Sequence, residues 1–474
     1  MHILFFLIIF MAIYNTLISV KEINGDNYFM FEHAKRILSE GFTDIDPLSM
    51  HEGFNFVYPQ WLFAVIIYLI KVNLGNDWIM YFMFTMHLLV FFFLYKVGSF
   101  ITNKNINTSL FVVLSFLLFA LASASVRPFI ITILILLVLI YTIEKYIRIQ
   151  NAKLIIAIPI LSILLINFHN SLWIAMVLVF MCYIGEWVLC KIIKGETNFN
   201  IKWMLIELGL TLVSALVNPY GYKYIVYIIQ SMNSLGPLYP YISELKSPSI
   251  THSTAFYYII AFDTFILLYT TCIAKKNIPY RYLLMFFGFA IMTLTASRNM
   301  LFFTTLGQIP VIYSSQFLKP LFKTDKYIKK IALGIILLMV WVMIISIDVD
   351  DRPDTDEYQA LDWISQVTDE KGTMLTSFNT GSYAEYKGFK SYIDARAEIF
   401  GIANNKKTDI ASEYVDLIYN DKTEDYFDFM EKYKFDYAII ETKHLNDVVK
   451  SDAENYDLIY GKGRAKLYKR KSTE

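Results

Sequence analysis

Residues 108–146 read TSLFVVLSFLLFALASASVRPFIITILILLVLIYTIEKY. Two apolar runs, 108–126 and 128–147, meet at Arg127-Pro128, and the second closes on Glu144-Lys145-Tyr146-Ile147-Arg148. Each run can cross roughly 30 Å of hydrocarbon as a helix. Pro128 suits a helix start, where its missing N–H is not needed. The stretch therefore predicts two membrane spans with an arginine at one face and a basic connection at the other.

The same pattern recurs at 1–20, 78–101, 153–168, 171–192, 203–217, 256–274, 281–297, 299–317 and 327–347. That makes about eleven spans. Hydrophobic residues form 56% of the 474 positions and aromatics 17%, which excludes an ordinary soluble globular protein. The first run lacks a basic leading segment and a small-x-small site before Lys21, so it reads as an anchor and not a cleaved signal. A formal net charge of +0 gives no bulk attraction to nucleic acid. Cys182, Cys190 and Cys272 all sit in or beside spans, with the spacing of neither a disulfide framework nor a zinc site.

Charge orients the spans. The connections carrying Lys145, Arg148 and Lys153, then Lys191, Lys194 and Lys202, then Lys275, Lys276 and Arg281, then Lys319 to Lys330, are basic and read as cytoplasmic. Alternation puts 126–128, 168–171, 218–255 and 297–299 outside, with a cytoplasmic N-terminus in the plasma membrane. The acidic stretch from Asp348 to Glu370 reads as outside too. Segment 58–74 breaks the parity if it spans; opening on Pro59 and Trp61 and carrying Lys71, it reads as an interfacial helix of a long first outer loop, 21–77.

After residue 348 the composition turns soluble. Strands are expected at Thr373–Phe378, Lys390–Ile393, Asp436–Glu441, Tyr456–Tyr460 and Ala465–Lys469, and helices at Asp356–Val367, Asp409–Tyr419, Glu424–Tyr433 and 443–451. The division is a transmembrane domain, 1–348, and an extracytoplasmic α/β domain, 349–474. No internal repeat or low-complexity segment is evident, which weakens an inverted-repeat transporter reading.

The strongly polar residues near the span ends gather at the outer face: Asp26, Glu32, His33, Arg127, His169, Asn218, Glu244 and Arg298. One-sided placement fits an enzyme better than a conduit. Asn27 to Glu40 has an amphipathic helical pattern, with Glu32 one turn from Arg36. Asp26 reads either as a helix cap or as a carboxylate at the membrane surface, and Asp46 either as a turn former before Pro47 or as a substrate ligand. Arg127 and Arg298 are either snorkelling cations or captors of a phosphate, for which guanidinium is well suited. His169 and Asn170 belong to a turn that either closes on itself or meets substrate. Glu244 is a solvated loop acid or a sugar-hydroxyl ligand, and Asn218-Pro-Tyr-Gly is a good turn in its own right. Asp394-Ala-Arg396-Ala-Glu398 reads best as an internal ion-pair network, with acceptor recognition as the alternative. No Walker loop, Rossmann fingerprint or HExxH motif occurs.

Asp26…Arg36…Gly41…Asp46-Pro-Leu-Ser49…Tyr58-Pro-Gln-Trp61 resembles the opening loop of GT-C class membrane glycosyltransferases, and more narrowly of bacterial GT-C-like proteins. The resemblance runs on through Arg127-Pro128, Asn167-Phe-His169-Asn170, Asn218-Pro219, Glu244, Ser297-Arg298, Gly381-Ser-Tyr383 and Asp394-Ala-Arg396. It implies an α-helical polytopic membrane protein with a GT-C-like bundle, taking a sugar from a polyprenyl phosphate. The catalytic carboxylate it implies is Asp26; Glu32 is the second candidate. His33, Asp46, Arg127, His169, Asn170, Glu244 and Arg298 are then candidate substrate ligands. Related loops carry an aromatic pair and a His soon after the Asp; here Tyr28-Phe29-Met30 stands there and His33 follows. Such enzymes can use a divalent metal, Mg or Mn, although no ligand cluster in this sequence demands one.

The expected activity is an inverting hexosyl transfer at the outer face to a cell-envelope glycan, a lipid or a protein, as in polysaccharide biosynthesis. The alternatives are a lipid-linked-oligosaccharide flippase or other transporter, for which Asp263 argues best, and a glycan polymerase or ligase.

Overall fold

A computed structural model describes residues 23, 25–105, 107–123, 125–234, 236–249, 254–318, 355–420 and 425–471. The contacts separate the chain into two units. The described residues of Gly75–Asn218 and Ser243–Asp348 form the first, and those of Glu22–Leu74, Pro219–Ile242 and Val349–Glu474 the second.

The first unit is helical. Among the described residues, four helices are long and apolar enough to cross a membrane: Asn76–Ile101, Phe129–Ile149, Asn170–Ile192 with its leading turn, and Phe256–Ile273 with its closing π turn. At 1.5 Å per residue, 21 residues of Phe129–Ile149 reach about 31 Å. Pro128 precedes this helix, and Gln150 ends it in the left-handed region at φ 58°, its N–H returning to Tyr146 O. Thr108–Ala122, Ile158–Phe168, Ile201–Ser214 and Tyr280–Thr295 are shorter apolar helices. The expected runs 1–20 and 327–347 lie outside the described residues, so eleven spans are not established.

The expected span 299–317 is not one helix. It breaks into Met300–Phe303, a run of turns, and Ile309–Ser314. Pro310 has no N–H to give the preceding turn and sits instead in the first turn of a restarted helix. Within the break, Gly307 N–H reaches back to Phe302 O at 3.0 Å, and the Ser115 hydroxyl donates to Thr304 O at 2.6 Å. The backbone groups loosened by the break thus keep partners, as a low-dielectric surrounding requires.

The second unit is a mixed five-stranded sheet with helices. β1 (Thr373–Leu375) pairs in parallel with β2 (Lys390–Ser391) and with β3 (Tyr437–Ile440). β5 (Ala465–Arg470) is antiparallel to β3 and to β4 (Tyr456–Lys462), giving the order β2-β1-β3-β5-β4. All four residues of β3 are buried, as befits a central strand of uninterrupted Tyr-Ala-Ile-Ile. The five expected strands and four expected helices are present, and a further helix, Gly381–Tyr386, forms between β1 and β2.

The first-loop segment packs into this unit through two helices, Gly25–Glu40 and Trp61–Leu74. Tyr28 lies 4.5 Å from Tyr383 and 5.3 Å from Tyr386 between ring centroids, and Lys71 sits 4.9 Å above the Phe31 ring. A glycine makes the approach close: a Cβ on Gly25 would stand 2.5 Å from Asn379 O, and farther along a Cβ on Gly381 would run into Ile393 O, so only a bare backbone fits at either. Further on, Met50 N–H donates to Ser391 O at 3.0 Å and Tyr224 hydroxyl to Tyr58 O at 2.8 Å.

Candidate functional site

The nine residues that the sequence nominates fall into two groups, one in each unit. Arg127, His169, Asn170, Glu244 and Arg298 belong to the first unit; Asp26, Glu32, His33 and Asp46 belong to the second.

In the first unit, Arg127 stands just before Phe129–Ile149, and Arg298 lies in the short turn Ser297–Asn299 between Tyr280–Thr295 and Met300–Phe303. Both line one cavity of about 280 Å³, with Ser123, Ser125, Glu244 and Ser297. Glu244 grips Arg127 with both oxygens, at 2.9 and 2.7 Å from Nη1. Such charge-assisted contacts fix a guanidinium in place. Ser297 ties the two sides together: its N–H donates to Lys246 O at 2.9 Å and its hydroxyl to Glu244 O at 3.1 Å.

His169 is buried, its ring 5.1 Å from that of Phe129. Burial, then the charge of Arg298, hold its imidazole down to about 3, so it is neutral at physiological pH. Among the described residues, His169 Nε2 and Asn170 Nδ2 are buried without a hydrogen bond. The sequence missed Ser123, Ser125 and Ser297 as cavity residues; their only signal was adjacency to Arg127 and Arg298.

At the other end of Phe129–Ile149, Arg281 Nε lies 2.7 Å from Glu144 and Nη1 2.6 Å from Glu186. Glu186 therefore takes Arg281 and not Lys191, which is near in sequence. Asp263 is buried and accepts from Gln308 Nε2 at 2.6 Å. The residue that best served a transport reading is thus held by Gln308, in the run of turns just before Ile309–Ser314.

In the second unit, Asp26 occupies the first turn of Gly25–Glu40, half-buried, where a carboxylate is favoured by the helix dipole. Its charge is near enough to add to the burial that raises the Tyr58 phenol. Glu32 is paired along the helix with Arg36 at 3.3 Å and Lys35 at 3.5 Å.

His33 and Asp46 converge on Arg396. This guanidinium is 2% exposed. Its Nε donates to Asp394 at 2.9 and 3.0 Å, Nη2 to Glu385 at 3.2 Å, and Nη1 to Asp46 and to His33 Nε2, the latter at 3.2 Å. An arginine can only donate, so His33 Nε2 accepts and its proton rests on Nδ1. The ring stacks on Tyr58 at 4.7 Å and lies tilted against Phe56 at 4.7 Å. Burial and then Arg396 hold His33 well below its ordinary value. Burial alone would raise Asp46, but Arg396 and the Ser49 hydroxyl overcome it and bring it to about 2. Glu385 goes the other way, pushed well above the carboxylate range by burial and by Asp394. One cation thus serves Asp46, Asp394 and Glu385, with Asp46 held ionised and Glu385 held protonated. The ion-pair reading describes Asp394 and Arg396, whereas Glu398 accepts from the Tyr227 hydroxyl at 3.3 Å; nothing in the local sequence marked Glu385.

Among the described residues no group of three or more His, Cys, Asp or Glu is arranged to hold a metal. The three carboxyl groups that do converge have the Arg396 guanidinium at their centre, so they do not fit a divalent cation.

No protein-family model matches the chain, and no curated protein does. Solved structures of the Archaeoglobus fulgidus oligosaccharyltransferase AglB do. The complex with an inhibitory peptide and a dolichol-phosphate aligns at a TM-score of 0.56 and 11% identity, covering 91% of this chain and 68% of that one. The apo form gives 0.54 and 11%, covering 91% and 69%. The form tethered to an acceptor peptide containing the NVT sequon gives 0.56 and 11%, covering 98% and 74%. What this likeness establishes is the architecture: the chain has a GT-C-like membrane-protein fold, shared with an archaeal oligosaccharyltransferase.

Proposed function

We propose that the protein is a membrane glycosyltransferase that takes a sugar from a polyprenyl-phosphate donor and passes it to an acceptor at the outer face of the membrane. The observation that carries the reading is the pair of arginines on one polar cavity of the first unit. Two guanidiniums at a span terminus are the donors a lipid-linked phosphate needs, because the lipid tail keeps that phosphate at membrane level. The likeness to AglB supports it, since that protein was solved with a dolichol-phosphate and with an acceptor peptide. A protein, a glycan and a lipid are all acceptors of the right chemistry.

The reaction is a single displacement with inversion. The acceptor oxygen attacks the anomeric carbon, its proton passes to a carboxylate, and the bond from that carbon to the phosphate oxygen breaks with its electron pair left on phosphate. Arg127 and Arg298 stabilise the charge that develops there. Asp26, a half-buried acid of the first loop, is the proposed proton acceptor, with Glu32 as the second candidate. His169 and Asn170 offer neutral hydrogen bonds beside the arginines. His33 and Asp46 position the loop through Arg396. The proposed arrangement keeps residues 1–348 as the membrane part and 349–474 outside the cell.

The test uses protein in lipid nanodiscs, radiolabelled polyprenyl-phosphate hexoses and a cell-envelope extract. Transfer by the wild type that is lost in Asp26→Asn and in Arg298→Ala, with both variants folded, supports the assignment. Transfer from no donor, or equal transfer by all three proteins, refutes it.

A further inference from the structure

The apolar helix Asn76–Ile101 carries a buried histidine that the mechanism above does not use. His87 is 1% exposed and lies against the Phe119 ring. Both of its nitrogens are engaged: Nδ1 lies 2.9 Å from Met83 O, and Nε2 2.9 Å from the Ser123 hydroxyl. A carbonyl oxygen only accepts, so Nδ1 holds the proton, and Nε2 of the neutral ring is an acceptor. The Ser123 proton therefore points at His87; the Ala120 carbonyl, at 3.4 Å, is the weaker competitor. A serine at a helix end needs no histidine to satisfy it, since Ser315 donates to Ile312 O of its own chain at 2.6 Å. What His87 adds is direction.

Ser123 lines the same cavity as Arg127 and Arg298. With its one proton given to His87, its oxygen has only lone pairs left to offer. A phosphate oxygen is itself an acceptor and gains nothing from them. A sugar hydroxyl, which donates, does. In a lipid-linked glycosyl phosphate the phosphate is joined on one side to a lipid without hydroxyls and on the other to the sugar. We propose that Ser123, oriented by His87, recognises one hydroxyl of the transferred sugar by accepting its hydrogen bond. Ser123 is then a specificity-determining residue and His87 a positioning residue. This rests on the glycosyltransferase reading above, and it adds where in the cavity the sugar is read and in which direction the hydrogen bond runs.

Full-length protein in nanodiscs is assayed for binding of tritiated polyprenyl monophosphoglucose and of analogues in which each free hydroxyl is replaced in turn by hydrogen or by fluorine. Wild type should lose about tenfold in affinity for the analogue lacking one particular hydroxyl. Fluorine there, which accepts weakly but cannot donate, should not restore it. Ser123→Ala should bind the parent donor about tenfold more weakly and that deoxy donor as wild type does, the equality showing also that the variant is folded. His87→Phe releases the Ser123 proton to turn into the cavity, and should make the fluoro analogue bind better than the deoxy one. Equal binding of every deoxy donor by wild type, recovery of its binding by fluorine, or a discrimination unchanged by Ser123→Ala overturns the role of Ser123 and leaves the enzyme reading standing. Binding of no donor by wild type overturns both.

Discussion

Replacing Arg396 with methionine should loosen the second unit far more than removing an exposed ion pair. The guanidinium is 2% exposed and serves Asp46, Asp394, Glu385 and His33 at once. Methionine fills much of the space but leaves Asp46 and Asp394 buried without a counter-ion. Asp46 keeps the N–H groups of Leu48 at 3.2 Å and Ser49 at 3.0 Å, so part of its charge stays solvated. Stranding buried carboxylates in this way costs about 3–5 kcal/mol. Lys223 and Asp44 provide the contrast within the same unit: at 52% and 46% exposure their pair is screened by solvent and adds little.

The assay is hydrogen exchange on the full chain in nanodiscs, following Met50 N–H, which bonds Ser391 O, and the amides of β1. Arg396→Met should speed their exchange by a factor of a hundred or more, taking about 1.4 kcal/mol per tenfold, and Lys223→Met by less than about tenfold. Adding Asp46→Asn and Asp394→Asn to Arg396→Met should restore most of the protection, because a cluster replaced whole costs less than one broken. Equal exchange in Arg396→Met and Lys223→Met would refute the reasoning.

Glu385 retains in the folded protein a proton that the unfolded chain releases above its ordinary value of 4.5. Its stabilising contribution is therefore present below that pH and is lost as pH rises, so Glu385→Gln should match wild type in Tm at pH 4 and exceed it at pH 7. His169 and His33 run in the opposite sense. Both are neutral when folded, so stability is full above their ordinary 6.5 and falls as acid protonates the unfolded imidazoles. His169→Gln should flatten that acid slope while leaving the pH profile of donor binding between 6 and 8 unchanged. Gly381→Ala should lower Tm sharply, since its Cβ would run into the Ile393 carbonyl oxygen, whereas Gly209→Ala, with nothing within 4 Å, should be neutral or stabilising by up to about 1 kcal/mol.

Much of the fold was legible because it is written locally. A run of apolar residues must become a helix to satisfy its own backbone in hydrocarbon, and alternating Val, Ile and Tyr between turns must become a strand. Hence Phe129–Ile149 and the five strands stand close to where the periodicity puts them. The broken segment after Arg298 escaped, because hydropathy averages over Pro310 and cannot see that Ser115 will take the carbonyl of Thr304. Candidate site residues were legible as costly polar groups at span ends, and Arg127, Glu244 and Arg298 do share a cavity.

Sequence alone thus pointed to the apolar helices, to the strands and helices after residue 355 and to the polar residues worth watching. Only the tertiary structure decided their partners. Asp46 meets an arginine 350 positions away, Glu186 takes Arg281 over the nearby Lys191, and residues 25–74 pack with those after 355. The reason is physical. Burial periodicity is a property of a short stretch of chain, whereas the pairing of buried charges depends on which stretches are brought within hydrogen-bond distance, and that is a property of the whole fold.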